Sequence, residues 1–316
     1  MRSRDEGLGL VFAGLCALNG AFVPAVAKLT TSRAEPLFVA GASNAFAAFV
    51  AVLVLQRRRE LGLLWRRPVG PRLLLIGALG TAAAHFLFYT GTSRTNAIET
   101  TLCLQCEPAY SLLLTWIFLG HRPTARRLLA TAILLCGIAL AVGATGFTTS
   151  AGVWLLLATP LCWQVSHLVV LRGLVGVRPI VLTSARYLYG GALLVLGWCI
   201  SSGGAVGLET HALLRLMPLL ALQGCVLGYG GTLLWYQAIT RLDLTRATAI
   251  VVPAIPLLSL GATFLLLGEV ATARQWAGLI LTAIGILAFV TARHVTSTQK
   301  RIRAPTGPLP VGERQR

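Results

Sequence analysis

The sequence is short of acid. Of its 316 residues only 10 are Asp or Glu, against 27 Lys or Arg, and charged residues together make up 12%. A soluble domain carries about twice that charged share, and the mean hydropathy is +0.76. An aqueous globule of this composition would expose more apolar surface than solubility allows. An ordinary soluble enzyme or DNA-binding protein is therefore excluded. Also missing are the P-loop pattern GxxxxGK[ST], HExxH and GxSxG, so no ATP-hydrolysing, zinc-protease or serine-hydrolase motif is encoded. What the chain has in quantity is apolar residues, 56% of the total.

Those residues fall into ten runs bounded by charge or turn residues, at about 8–27, 36–55, 73–93, 97–119, 128–147, 152–171, 180–200, 213–238, 247–267 and 273–292. Each approaches the roughly 20 residues that a membrane-crossing helix needs. Barrel strands would be shorter and would alternate polar with apolar residues, so helices are expected throughout. The first run follows Arg2 and Arg4 and could pass for a secretory signal; with nine further runs behind it, it reads as an uncleaved helix. Placing the N-terminus in the cytoplasm puts 21 Lys and Arg on the inner side and 5 on the outer, with Arg186 inside a run. That split predicts cytoplasmic N- and C-termini. The net charge of +17 then belongs to inner loops facing anionic lipid headgroups, and no nucleic-acid partner is needed. Residues 294–316, basic and Pro-containing, read as a disordered cytoplasmic tail.

A shift of 148 residues aligns two stretches, one beginning at Thr92 and one at Thr240. It pairs Thr100 with Thr248, Pro108 with Pro256, Ser111 with Ser259 and Thr115 with Thr263. It also pairs Leu119-Gly120 with Leu267-Gly268, Thr124-Ala125-Arg126 with Thr272-Ala273-Arg274, and Gly137 with Gly285. Upstream, Lys28 answers Arg172 and Pro36 answers Pro179. Two halves of five runs each, 7–147 and 151–293, follow from this. Copies of an odd unit cross the membrane in opposite senses, the inverted-repeat plan of many secondary transporters, whose sites lie near the midplane between halves. The expected fold is all-α, with ten transmembrane helices as two inverted five-helix repeats.

Glu107-Pro108 with the Leu119-Gly120 helix end, Pro256 with Leu267-Gly268-Glu269, and Arg186 together resemble the drug/metabolite transporter superfamily, and more narrowly its EamA-type members. The resemblance covers roughly residues 8–292. It implies ten helices with both ends inside and a central cavity bounded mainly by the third, fourth, eighth and ninth runs with the first and sixth. It also implies movement of small metabolites, often amino acids, frequently outward. His121 stands where that family usually has Glu, and Ser43 occupies the place equivalent to Arg186.

Charged groups inside apolar runs are costly in lipid and normally face a cavity or a partner. In the fourth run Asn96, Glu99, Cys103, Glu107 and Tyr110 recur at helical spacing and form one polar face. Glu107, near the middle, is suited to an amino-bearing substrate or to a proton; the alternative is a neutral carboxyl acting as packing glue. Pro108 removes a backbone donor beside it and should bend the helix, as Pro253 and Pro256 should bend the ninth run. Thr81, His85, Phe88 and Thr92 share a face in the third run, and Tyr229, Thr232, Tyr236 and Thr240 share one in the eighth, with Gln237 alongside. Both stripes read either as cavity lining or as ordinary packing. His85 is a proton relay or a neutral core histidine. Trp163, Gln164, His167 and Asn19 are weaker candidates of the same kind, and Arg186 reads as a buried pair or a snorkelling side chain. Cys103 and Cys106 lie on an apolar helix without a second ligand pair, so they read as packing residues and not as a metal or redox site.

The functional reading is a secondary transporter of small organic metabolites, amino acids or related compounds, exported across the cytoplasmic membrane by alternating access. No catalytic residue, metal or cofactor is expected; the expected partners are a small-molecule substrate, a coupled proton and membrane lipids. The alternatives are an intramembrane enzyme acting on lipid or peptide, and a non-transporting membrane assembly factor.

Overall fold

The computed structural model describes residues 2–120, 122–143, 150–242 and 244–292. The expected tail, 294–316, and the ends of both expected halves, 144–147 and 293, lie outside the described residues. Within them the chain is helical and contains no strand.

Arg2–Thr31 forms α1 and Pro36–Arg57 forms α2; a short 3-10 turn, Leu61–Leu64, precedes α3, Val69–Ser93. Two shorter helices follow, α4 (Ala97–Leu104) and α5 (Glu107–Leu119), then α6 (Ala125–Val142), α7 (Ala151–Gly173) and α8 (Pro179–Ser202). The helix α9 runs through Thr210–Ala221, Leu222–Gly230 and Gly231–Arg241, and α10 (Leu244–Leu267) and α11 (Ala273–Thr291) complete the chain. Among the described residues nine helices are long and apolar enough to cross a membrane. The fourth apolar run is the exception. It is not the continuous helix that its periodicity predicts, since α4 has 8 residues and α5 has 13.

The repeated residues turn out to be helix ends. Gly120 and Gly268 close α5 and α10 with φ of 68° and 67°, the left-handed conformation that glycine adopts without a Cβ penalty. Thr124 and Thr272 then start α6 and α11 by accepting the backbone N–H of Arg127 and Gln275. Thr272 is the stronger cap, because Gln275 reaches back to its backbone to complete a capping box. Gly137 and Gly285 let these two helices touch. A Cβ on Gly137 would stand 2.5 Å from the backbone nitrogen of Thr282, and one on Gly285 would stand 2.5 Å from that of Leu134.

Other pairings also come in couples. α2 packs on α8, α1 packs on α9 and α10, and α7 packs on α3, α4 and α5. Cationic side chains seal two of the helix ends. Lys28 donates to the carbonyls of Thr92 and Ser93 at 3.3 Å, and Arg172 donates to that of Phe118, where a helix C-terminus favours positive charge.

Candidate functional site

Three departures from regular α-helix surround the middle of the molecule. The first is the break between α4 and α5. Asn96 caps α4 by accepting the N–H of Glu99 at 2.7 Å. Glu269, from the loop after α10, accepts the N–H of Ala97 at 3.1 Å. Pro108 has no N–H for the Leu104 carbonyl, and its ring crowds that oxygen. The chain therefore leaves α4 through short turns, with Gln105 N–H donated to Leu102 at 3.1 Å and Cys106 N–H to Cys103 at 3.3 Å. It begins again at Glu107-Pro108, in the first helical turn where proline forfeits nothing. Pro108 thus starts a helix where a bend within one was expected; Pro253 and Pro256 do lie inside an unbroken α10. Glu107 sits half-buried at the positive end of α5, and its Oε1 accepts from Gln164 Nε2 on α7 at 2.7 Å.

The other two departures are π-helical stretches, Ala78–Ala83 in α3 and Leu222–Gly230 in α9. The 148-residue offset carries the first onto 226–231, overlapping the second. Such stretches loosen the carbonyl ladder and recur at functional sites. Here each gives a carbonyl to a side chain from another helix. Gly80 accepts from Arg186 Nη2 of α8 at 2.6 Å, and Leu227 accepts from Asn19 Nδ2 of α1 at 3.0 Å. Gly80 must lack a side chain for this contact, because a Cβ would meet Ser166 Oγ and stand 3.1 Å from Arg186 Nε.

Between these features lies a polar cluster. His85 Nδ1 is 2.9 Å from Asn44 Nδ2, with the rings of Tyr89 and Tyr187 at 5.9 and 6.4 Å. Tyr89 accepts from Gln223 Nε2 at 2.8 Å, and Gln223 Oε1 accepts from Thr30 at 3.1 Å. Tyr229 pairs with Ser184 at 3.0 Å and Tyr187 with Thr232 at 3.3 Å, rungs one turn apart joining α8 to α9. Arg186 is near enough to Glu107, His85, His167, Tyr187 and Tyr236 for its charge to act on all five.

The structure thus brings Glu107, His85, Tyr229 and Tyr236 into one neighbourhood, with Gln164 and His167. Trp163 is half-buried next to Gln164 in sequence. Phe88 is buried in an apolar cluster with Phe38, Val39 and Leu156. Glu99 remains apart in the first turn of α4. Gln237 is exposed at the far end of α9, bonded to Arg241, which lies 3.6 Å from Asp5. Sequence reasoning passed over Asn44, Tyr89, Tyr187 and Gln223. Tyr89 had a signal, standing four residues after His85. A regular helical stripe drawn across Ala78–Ala83 picks Phe88 instead. The seven cysteines are free thiols, and no group of His, Cys, Asp and Glu suited to a metal occurs among the described residues.

A groove of about 380 Å³ opens between α10 and α11, lined by Leu257, Leu260, Phe264, Glu269, Val270 and Trp276 among others. Its wall is apolar apart from Glu269, whose carboxylate accepts the Ala97 N–H at the start of α4.

Residues 7–143 and 150–291 each match the EamA-like transporter family. A curated relative from Streptantibioticus cattleyicolor, named a probable terminal-alkyne amino-acid exporter, is 33% identical over 145 residues. That match spans 45% of this chain and 44% of the relative, so less than half of the exporter's length is covered. A crystal structure described only as that of a protein shares the fold, with a TM-score of 0.61 at 18% identity over 91% of this chain and 96% of that one. The two family matches take in both halves of the sequence: the chain belongs to the EamA-like transporter family of the drug/metabolite transporter superfamily, and is a multi-pass membrane protein.

Proposed function

We propose that the chain is a secondary transporter that moves small organic metabolites, amino acids or related compounds, out of the cell by alternating access. Its halves, 7–147 and 151–293, are inverted repeats. They cross the membrane ten times if α4 and α5 count as one broken crossing, with both termini and the tail 294–316 in the cytoplasm. The coupled contacts support this plan. Under the 148-residue offset α6 answers α11, and their glycine contacts are reciprocal. The pairing of α1 with α9 and α10 likewise answers that of α7 with α3, α4 and α5. The relative's name supports the substrate class and the outward direction.

One observation carries the reading. Glu107 opens α5 at a break in the helix and meets Gln164 from the other half. Discontinuous helices of this kind supply the substrate and ion sites of many secondary transporters. In this reading Glu107 takes the amino group of the substrate or a proton, His85 relays a proton, and Tyr236, Tyr229 and Trp163 line the path. Phe88 stands behind it in the packed wall, and Glu99 and Gln237 lie toward its opposite mouths. The break and the two π stretches are the flexible points about which the halves rock.

Efflux from proteoliposomes against a metabolite panel, with and without a pH gradient, tests the proposal. Accumulation of an amino acid against its gradient when protons flow the other way is the expected result. A chain that moves nothing on the panel, or tagging that puts the two termini on opposite faces, would overturn it.

A further inference from the structure

Arg186 is a charge inside a helix that the surrounding protein leaves incompletely satisfied. A guanidinium within a membrane span is costly in lipid, and its five donors call for partners. Among the described residues Arg186 makes one hydrogen bond, from Nη2 to the Gly80 carbonyl. Its Nε is buried with no hydrogen-bond partner. Among the described residues no carboxylate lies within ion-pair distance of it, and the ion pairs found are Arg178 with Glu60 and Arg241 with Asp5. The titratable groups within reach of its charge include His85 of α3, Glu107 of α5, His167 of α7, Tyr187 of α8 and Tyr236 of α9, and among these Glu107 is the one carboxylic acid. Glu107 does not close on it, being held by the neutral amide of Gln164. One cation and one acid are therefore kept in each other's field without touching.

From this geometry we propose that Arg186 is the binding residue for a carboxylate on the transported molecule, with Glu107 taking the amino group of that same molecule. The proposal rests on the transporter reading and narrows it to zwitterions. A guanidinium fork matches a carboxylate in two parallel hydrogen bonds, which would engage the unpartnered Nε and compensate the half-buried charge. The equivalent π stretch in α9 is served by the neutral Asn19, so the pair of charges exists on one side alone and fixes the orientation of the bound molecule. The Gly80 carbonyl holds the guanidinium by its Nη2, apart from Glu107.

The test is ligand-induced thermal stabilisation of the purified full chain in detergent. The probes are the proteinogenic amino acids, their carboxamides, their decarboxylated amines and chloride alone. Some of the amino acids should stabilise the wild type, and their carboxamides and amines should need at least about tenfold higher concentration. Arg186→Gln should weaken the amino acids by about tenfold or more and abolish their advantage over the carboxamides, while Arg186→Lys should keep part of it. Without ligand, Arg186→Gln should melt no lower than the wild type, because it removes an unpaired charge; a purely structural arginine would lower it. Carboxamides that bind as well as acids, equal loss of both ligand classes in Arg186→Gln, stabilisation by chloride alone to the same extent, or no binding by any probe would each overturn the proposal. The two readings fail separately. A ligand that binds through Arg186 yet is never carried in proteoliposomes removes transport and leaves the anchor, whereas transport indifferent to the carboxylate removes the anchor and leaves transport.

Discussion

Residues 97–119 and 245–267 are aligned by the repeat, yet they form different structures. Both carry the proline at 108 or 256 and the serine at 111 or 259, and both stop on a left-handed glycine. The first is cut in two at Gln105–Cys106; the second runs on as one helix with two prolines inside it. Their surroundings account for the difference. In the first, polar groups answer the freed backbone and the new helix start. Gln105 Nε2 donates to Thr101 at 3.3 Å, Cys106 Sγ to Leu157 at 3.6 Å, and Gln164 meets Glu107. In the second, Ile255 stands in place of Glu107 and packs onto α1, where a Cβ on Gly20 would lie 3.0 Å from its Cδ1, and Ser259 bonds the Ala21 carbonyl at 2.6 Å. A proline opens a helix where polar partners can close the gap, and is absorbed where apolar packing surrounds a continuous helix. The ends of the repeat keep one structural task, while its middle is a broken helix in one half and a continuous one in the other.

Four substitution pairs would break or sharpen that contrast. The largest effect is expected at the divergent position. Glu107→Gln should cut the initial rate of transport by about 100-fold, the scale of losing one key charged contact, whereas Ile255→Val should change it less than about twofold. Comparable losses would erase the distinction between site and support. Next comes the seam between α6 and α11, where the halves should be equal. Gly137→Ala and Gly285→Ala each force a methyl against backbone and should each cost about 1–3 kcal/mol, read from unfolding in detergent or bicelles. A large disparity would show that the seam is not reciprocal. Pro108→Ala should let α4 and α5 fuse and slow transport about tenfold or less, while Pro256→Ala, which restores a donor inside an intact helix, should leave the rate within about twofold. The smallest difference is expected at the caps. Thr272→Ala, which breaks a capping box, should cost about 1 kcal/mol, and Thr124→Ala, with one bond of 3.3 Å, should cost less.

Much of this was legible in the residues. Run lengths located the helices, and the repeat found its own punctuation, since Leu-Gly and Thr-Ala-Arg proved to be the stop of one helix and the start of the next. Glu107 stood out because a carboxylate in an apolar run is expensive. Less could be read where geometry departs from the ideal helix. The proline at 108 looks the same in sequence as that at 256, and the partners that decide between break and continuation come from α7 and α1, far along the chain. The π stretches carry no local pattern beyond glycines at 77, 80, 224, 228 and 230. They shift the facing side chains, so a stripe drawn at regular spacing chose Phe88 over Tyr89. Asn44 and Gln223 are single polar residues whose meaning exists only once α2, α3 and α9 are side by side.

Gly80 couples three positions that lie far apart in the chain. A methyl group there would collide with Ser166 and displace the guanidinium of Arg186, so none of the three can drift alone. In any descendant that enlarges position 80, the serine must shrink and the arginine must shorten or depart, and with the carboxylate anchor proposed for Arg186 the solute carried would change with them. Divergence of cargo in this lineage would then be recorded as correlated replacement at 80, 166 and 186.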